Sequence, residues 1–513
     1  MCSKGSKTCP KSCKDSSPVI PTTPLITFLE RLQETAFKIH TQQTEFDPKA
    51  YVDLSLKKDL CVTVEAFEKL PRTENGSVTV KEFNSFVEEY LNSDADEGLM
   101  HVKPEDFVAE PEEFLLKVEN MEVREWALEV HSLWKNLSRK VSDRVFERTD
   151  FYTLLPLRNP LVVPGSRFRE VYYWDSYWVM RGLLASKMYD TARGIIYNLI
   201  SLVEEYGYVP NGARAYYTNR SQPPLLSSMV MDVYNRTRDY KLVLKSLPAL
   251  LKEHEFWNSG MHKVMIQDAE GSSHTLCRYY AMWDKPRPES SNIMELDISS
   301  LARITGNAIT AARFRDSAEA RKKAINSILW NAEMGQWLDY WLSDSLYIES
   351  KDVYIWNASY QNKKVLASNF IPLWIQSFNS DVKTVDEVVQ SLQSSGLIYP
   401  AGIATSLTKS GQQWDFPNGW APLQHMIVEG LVRSGSKEAK VVAEDIAVKW
   451  MTTNYVAFKR TGTMHEKYDV QKCGDFGGGG EYAPQTGFGW SNGVVLAFLE
   501  EFGWPEQRKL DFS

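Results

Sequence analysis

The chain reads as an all-α protein built as a closed ring of helix pairs, and three observations predict it. From position 121 onward, apolar residues recur at three- and four-residue steps over most of the chain. No stretch sustains a period of two, and no strand–helix–strand rhythm is visible. No Pro/Gly/Ser-rich linker divides the chain after residue 25. About a dozen helices in one unbroken unit fit either a stacked solenoid or a ring. No internal repeat of the roughly 33–45 residues used by helical solenoids is visible, which favours the ring.

The elements follow in order. Residues 1–24 are a basic, Ser- and Lys-rich stretch ending at Pro21-Thr22-Thr23-Pro24, read as an unstructured tail before one domain over 25–510. Residues 25–120 are acidic and mixed, with a turn at Asn75-Gly76 and a Pro-interrupted stretch at 104–111. The first clear helical stripe is Trp126, Val130, Leu133, Trp134 and Leu137. Similar stripes predict helices over about 176–205, 224–238, 241–257, 294–304, 308–330, 384–394, 422–434, 437–454 and 487–502. Gly, Pro or Asn ends most of them. In a ring of helix pairs the long loops gather at one mouth, and here the loops hold the unusual residues.

Composition narrows the function. The 513 residues carry 58 Lys+Arg against 66 Asp+Glu, a net charge of -8, with 43% hydrophobic and 24% charged. That profile belongs to a folded soluble chain and excludes disorder throughout. Dispersed basic residues on an acidic chain argue against a nucleic-acid partner. No apolar run reaches the roughly 18 residues of a membrane helix, so no transmembrane segment is expected. The 16 Trp, 24 Tyr and 22 Phe often neighbour acids and amides. Such pairs suit a ligand with C–H faces and hydroxyls, a sugar, although aromatics also fill large cores. Cys2, Cys9 and Cys13 lie in the tail, while Cys61, Cys277 and Cys473 are too scattered for a zinc knuckle or a disulfide framework. No metal or organic cofactor is implied. Asn-x-Ser/Thr triplets begin at Asn75, Asn136, Asn219, Asn235 and Asn357 and matter only in a secreted chain. Residues 1–24 show no apolar core like that of a signal peptide.

Five segments concentrate chemistry. Pro164-Gly165-Ser166-Arg167-Phe168-Arg169-Glu170-Val171-Tyr172-Tyr173-Trp174-Asp175 sets a guanidinium, an indole face and a carboxylate in one short stretch. Asp175 equally suits a cap for a helix starting near 176. Asn211-Gly212-Ala213-Arg214 and Asn219-Arg220-Ser221-Gln222-Pro223-Pro224 cluster polar side chains just before a Pro-started helix. In Lys285-Pro286-Arg287-Pro288-Glu289-Ser290 the prolines enforce extension, so Arg287 and Glu289 share a side, as a polar clamp or as a surface ion pair. Gln412 to Pro422 holds two Trp, an Asp and an Asn between prolines and a glycine. Finally, Met464-His465-Glu466-Lys467-Tyr468-Asp469 precedes four consecutive glycines and Glu481-Tyr482. Glu466 lies between a His and a Lys, where its charge can be tuned for base work. The glycines lack Walker and Rossmann spacing and read as a mobile flap bringing Glu481 to a ligand.

In that order these segments resemble the trehalases, glycosidases of α,α-trehalose. The shared patterns are Pro-Gly-x-Arg-Phe-x-Glu-x-Tyr-x-Trp-Asp-x-Tyr, Gln-Trp-Asp-x-Pro-Asn-Gly-Trp-x-Pro, and Glu-Lys-Tyr-Asp followed by the glycine run and Glu-Tyr. The resemblance covers about residues 22–505 and is nearest to plant-type members. It implies an (α/α)6 barrel, an inverting hydrolysis of the disaccharide trehalose, and Glu466 as the general base. Arg167, Trp174, Asp175, Asn211, Arg220, Ser221, Gln222, Arg287, Glu289 and Glu481 match its sugar-binding positions. Plant members are often extracellular or membrane-anchored.

One departure stands out. After Arg-Pro-Glu the family continues to a Glu-Ser-Gly-Trp-Asp-Phe-Ser-Ser-Arg-Trp segment whose Asp is the general acid. Here Glu289-Ser290-Ser291-Asn292-Ile293 runs straight into Met294-Glu295-Leu296-Asp297, and no Gly-Trp-Asp-Phe-Ser occurs anywhere. The resemblance therefore implies a deletion near 291–294, an incomplete barrel, and a chain holding the base without its acid. Asp297 is a poor substitute, since it lies in an apolar-periodic helix. A non-catalytic trehalose-binding protein is the alternative reading.

Overall fold

The computed structural model describes residues 23–40, 47, 49–74, 76–92, 97–165, 167–280, 300–378, 382–480 and 482–505. Arg287, Glu289, Glu481, Asp297 and the 291–294 junction lie outside the described residues.

The longer helices are α1 (Pro24–His40), α2 (Leu60–Glu68), α3 (Val80–Tyr90), α4 (Met121–Ser132), α5 (Tyr173–Ala185), α6 (Tyr189–Tyr206), α7 (Leu226–Thr237), α8 (Tyr240–Trp257), α9 (Ala308–Ile328), α10 (Val382–Ser394), α11 (Ala421–Arg433), α12 (Lys437–Thr461) and α13 (Gly489–Phe502). They are of two kinds, which alternate from α4 to α8 and again from α10 to α13, the signature of an (α/α)6 barrel. Outer helices bury one stripe: in α10 it is Val385, Val388, Val389 and Leu392, spaced three, one and three apart. Inner helices are buried over far more of their surface. In α5 every residue but Arg181 is buried, and in α13 every residue from Gly489 to Leu499. The charges of the inner helices meet each other, with Arg181 on Glu429 at 2.9 Å and on Asp232 at 3.2 Å. Among the described residues the inner place between α8 and α9 holds only the short helix 300–304, and that between α9 and α10 the 3₁₀ segment Ala367–Leu373.

Local chemistry accounts for the ends. Asn120, Asp239, Asn307 and Ser436 cap α4, α8, α9 and α12 by accepting N–H bonds in the first turn. Gly207 and Gly462 end α6 and α12 in the left-handed conformation, which costs glycine nothing. The helix expected over 176–205 divides at Ser186–Met188, where Lys187 takes φ 61° and reverses the chain. Tyr173 Oη accepts the N–H groups of Leu225 and Leu226 at 3.0 and 2.9 Å and so fixes where α7 begins beside α5.

Helices α1 to α3 build a second apolar cluster around Leu25, Phe28, Leu32, Phe67, Phe83 and Phe86, with Phe151 packed against both cores. Strands are short. A four-stranded sheet carries the hairpin Lys263–Gln267/Ser273–Cys277, and Asn418–Trp420 pairs antiparallel with Lys467–Asp469. That second pair ties the loop before α11 to the loop before α13. No helix among the described residues is long and apolar enough to cross a membrane.

Candidate active site

The site is assembled where the inner helices begin. Asp175 is the third residue of α5, inside its first turn and not its cap, because the helix starts at Tyr173. The N-cap Tyr172 gives no side-chain bond. The Trp174 N–H donates instead to Gln222 Oε1 at 3.0 Å, so an amide from the loop before α7 closes the helix end. Asp175 is 6% exposed. Burial pushes its carboxyl up to about 8, against a backbone hydrogen bond that favours the charged form, and the nearby Glu466 charge adds to the rise.

Glu466 is 1% exposed. The Tyr482 hydroxyl donates to its Oε1 at 2.7 Å, and the Gln485 N–H to its Oε2 at 3.0 Å. Trp490 Nε1 donates to its carbonyl at 2.9 Å, fixing the backbone as well. Burial raises this carboxyl too, opposed by the bonds from Gln485 and Tyr482 and by the charges of Lys467 and Arg167. The Arg167 guanidinium lies 4.5 Å from the Tyr482 ring centroid. Its Nε and Nη2 both donate to Asp47 at 2.8 Å, a fork-on-carboxylate pair with the segment between α1 and α2. Four indoles wall the same region. Trp414 stacks on Trp420 at 4.1 Å, Trp174 stands 6.1 Å from both Trp414 and Trp490, and Trp420 lies 5.5 Å from Trp490.

A buried ionic group braces the loop that carries Arg167. Lys49 pairs with Asp53 at 2.6 Å and with Glu170 at 2.9 Å, and Arg214 pairs with Glu170 at 2.8 Å. Two cations face two carboxylates, so burial leaves no uncompensated charge.

The trehalase family model matches this chain over residues 43–295 and again over 292–503. The chain belongs to the trehalase family. The trehalase of Arabidopsis thaliana is 52% identical over 561 residues, covering 97% of this chain and 89% of that protein. The probable trehalase of Oryza sativa subsp. japonica is 49% identical, covering 95% and 97%, and the trehalase of Homo sapiens 34%, covering 89% and 86%. Among solved structures, the neutral trehalase of Saccharomyces cerevisiae superposes with a TM-score of 0.51 at 23% identity, over 66% of this chain and 73% of that one, a likeness of fold.

Of the trehalase positions anticipated from sequence, Arg167, Trp174, Asp175, Gln222 and Glu466 converge around the site. Two others are engaged by the backbone. The Ser221 hydroxyl donates to Val209 O at 2.6 Å, and Asn211 exchanges main-chain bonds with Arg220 and Tyr173. The Arg220 guanidinium lies 5.5 Å from the Tyr217 ring centroid. Sequence reasoning missed Asp47, Gln485 and Trp490 as partners. A lone Asp between Phe46 and Pro48 gives no spacing signal, and Gln485 acts through a main-chain N–H that no side chain announces. The glycine run, expected as a flap, packs closely against a neighbouring loop. A Cβ on Gly479 would lie 2.3 Å from Gly411 O, and one on Gly480 2.7 Å from the Gln413 Cβ. These glycines form a strap pressed against the Gly411–Gln413 loop, with φ of 74° and 91° at Gly479 and Gly480.

Proposed function

We propose that this site binds α,α-trehalose and carries the water-activating half of an inverting hydrolysis, while the chain lacks the acid that would protonate the departing sugar. The observation carrying the reading is Glu466, a buried carboxylate with each oxygen held by a donor, beside a wall of indoles. Burial raises its proton affinity toward the range a base needs near neutral pH. Gln485, Tyr482, Lys467 and Arg167 favour the charged form, which keeps it able to take a proton from water. Trp174 and Trp414 offer flat faces for the pyranose. Asp175, whose carboxyl burial pushes upward, can give as well as accept a hydrogen bond to hydroxyls when it carries its proton, and Arg167 supplies a fork of donors. Asn211, Arg220, Ser221, Gln222, Arg287, Glu289 and Glu481 complete the sugar-binding set, with Ser221 and Gln222 shaping the wall behind Trp174.

Inversion needs a second carboxyl about 6.5–9.5 Å away to protonate the leaving oxygen. The family's acid belongs to a Gly-Trp-Asp segment that this sequence lacks. Two findings support a deletion: the family matches meet at 292–295, on the Ser291–Met294 junction, and the Arabidopsis alignment runs 561 residues against a chain of 513. A sugar alkoxide leaves poorly without a proton, and acid help is worth about 10²–10⁴ in rate, roughly 3–5 kcal/mol.

The test uses α-D-glucosyl fluoride, whose fluoride departs unprotonated. The chain should hydrolyse it to β-glucose, followed by proton NMR, with kcat/KM for trehalose lower by about 100-fold or more. Glu466→Gln should abolish fluoride release. Equal rates on both substrates would overturn the missing acid, α-glucose as first product would overturn inversion, and trehalose binding without fluoride release would leave a binding protein.

A further inference from the structure

Lys467 follows Glu466 directly, and its side chain is wholly buried. In the strand pair it sits opposite Trp420. Its Nζ donates to Gly479 O at 3.0 Å and lies 5.3 Å from the Trp420 ring centroid, the ring on which Trp414 stacks. Its aliphatic stem fills the space beside Gly477. A Cβ there would fall 2.9 Å from Lys467 Cγ and 2.3 Å from Asn418 Oδ1. The Gly477 N–H donates to Lys467 O at 3.0 Å, and the Gly478 N–H to Asn418 Oδ1 at 3.0 Å. One side chain therefore touches the strap and the indole stack, on the residue that directly follows Glu466. The strap leads within two residues to Tyr482, whose hydroxyl holds Glu466.

A buried ammonium is a costly way to fill this volume, since methionine has nearly the same stem without the desolvation. What methionine cannot supply is the donor to Gly479 and the charge. We propose that Lys467 is a positioning residue, fastening the glycine strap to the loop that carries Glu466 and keeping a positive charge beside that carboxylate. This rests on the reading of Glu466 as the base. The groups facing Glu466 are Lys467, Arg167, Tyr482, Asp175 and the Gln485 N–H. On the strap side His465 stacks on Phe476 at 4.7 Å and Asp475 pairs with Arg460. Lys467 alone among them contacts both strap and indole stack while bearing a charge. Burial lowers its affinity for a proton and the Glu466 charge restores part of it, so the two favour each other's ionised forms.

The experiment measures α-D-glucosyl fluoride hydrolysis by the purified chain and by Lys467→Met, Lys467→Arg, Gly477→Ala and Glu466→Gln across pH. Lys467→Met should lower kcat about tenfold or more, change KM little, and move the acid limb of the pH profile to higher pH by about half a unit or more. The limb rises because the carboxylate that must be ionised has lost its neighbouring cation. Lys467→Arg keeps the charge and should return the limb to its original place. Gly477→Ala presses on Asn418 and the Lys467 stem and displaces the strap, so kcat should fall. An unshifted limb in a folded Lys467→Met, or no loss in Gly477→Ala, would overturn the proposal. If Lys467→Met does not fold, a limb displaced in Lys467→Arg would do so. Persistence of fluoride release in Glu466→Gln would instead overturn the base assignment itself.

Discussion

Asp175 and Glu466 are buried acids in one site, and the Glu466 charge makes ionisation of Asp175 harder. Asp175 is raised to about 8, by burial first and by the Glu466 charge in addition, whereas in an unfolded chain it titrates near 3.9. Between those values the folded chain keeps a proton that the unfolded chain has released. Stability therefore falls as pH climbs from about 4 to about 8 and is flat beyond. Asp175→Asn removes this slope. Denaturant unfolding should find the variant more stable than the parent by on the order of 5 kcal/mol at pH 8.5, with the difference vanishing near pH 4. Tyr482 offers the complementary case. Its hydroxyl stabilises the charged form of Glu466 at 2.7 Å, and a hydrogen bond to a charged group is worth about 1.5–3 kcal/mol. Tyr482→Phe should raise the acid limb of fluoride hydrolysis by about one pH unit, read from kcat/KM between pH 4 and 8.

At the scale of elements, the tightest seam is between α5 and α13. A Cβ on Gly493 would lie 1.9 Å from Trp178 O, and one on Gly182 would lie 2.5 Å from the Gly493 Cα. The two inner helices touch backbone to backbone, which sets the spacing of Asp175 from the loop before α13. Gly493→Ala must push them apart, and overpacking of this kind costs about 1–3 kcal/mol, more where backbone is struck. A thermal melt lowered by several degrees, with fluoride hydrolysis reduced, is the expected result; an unchanged melt would show that the seam opens freely. The long helices were legible because their stripes repeat over several turns. Helices α1 and α3 were not, although Leu25, Phe28, Leu29, Leu32 and Ala36 follow helical spacing, because the many intervening charges hid the stripe. The hairpin at 263–277 and the segment 367–373 escaped for another reason: strands of five residues and a 3₁₀ helix of seven are too short to establish a period.

For the whole molecule, the motif order in the sequence carried the family and the ring of helix pairs, because sugar chemistry needs rare residue types in fixed loops. It could not carry the closure of the site, which depends on contacts between distant segments, such as Asp47 with Arg167 and Asn418–Trp420 with Lys467–Asp469. The deletion proposed near 291–294 raises a question of the same scale, since loss of a segment there would take away both a proton donor and part of the wall. The two losses have different signatures. Inserting the family's intervening segment at the junction should raise kcat/KM for trehalose by about 10²–10⁴. If the gain is the proton, α-D-glucosyl fluoride, which needs none, should change by no more than about threefold. If the gain is scaffold, both substrates should rise together and the thermal melt should climb with them. Replacing the inserted Asp by Asn then separates the two, since it returns trehalose turnover to the level of the present chain while leaving the melt and the fluoride rate where the insertion put them.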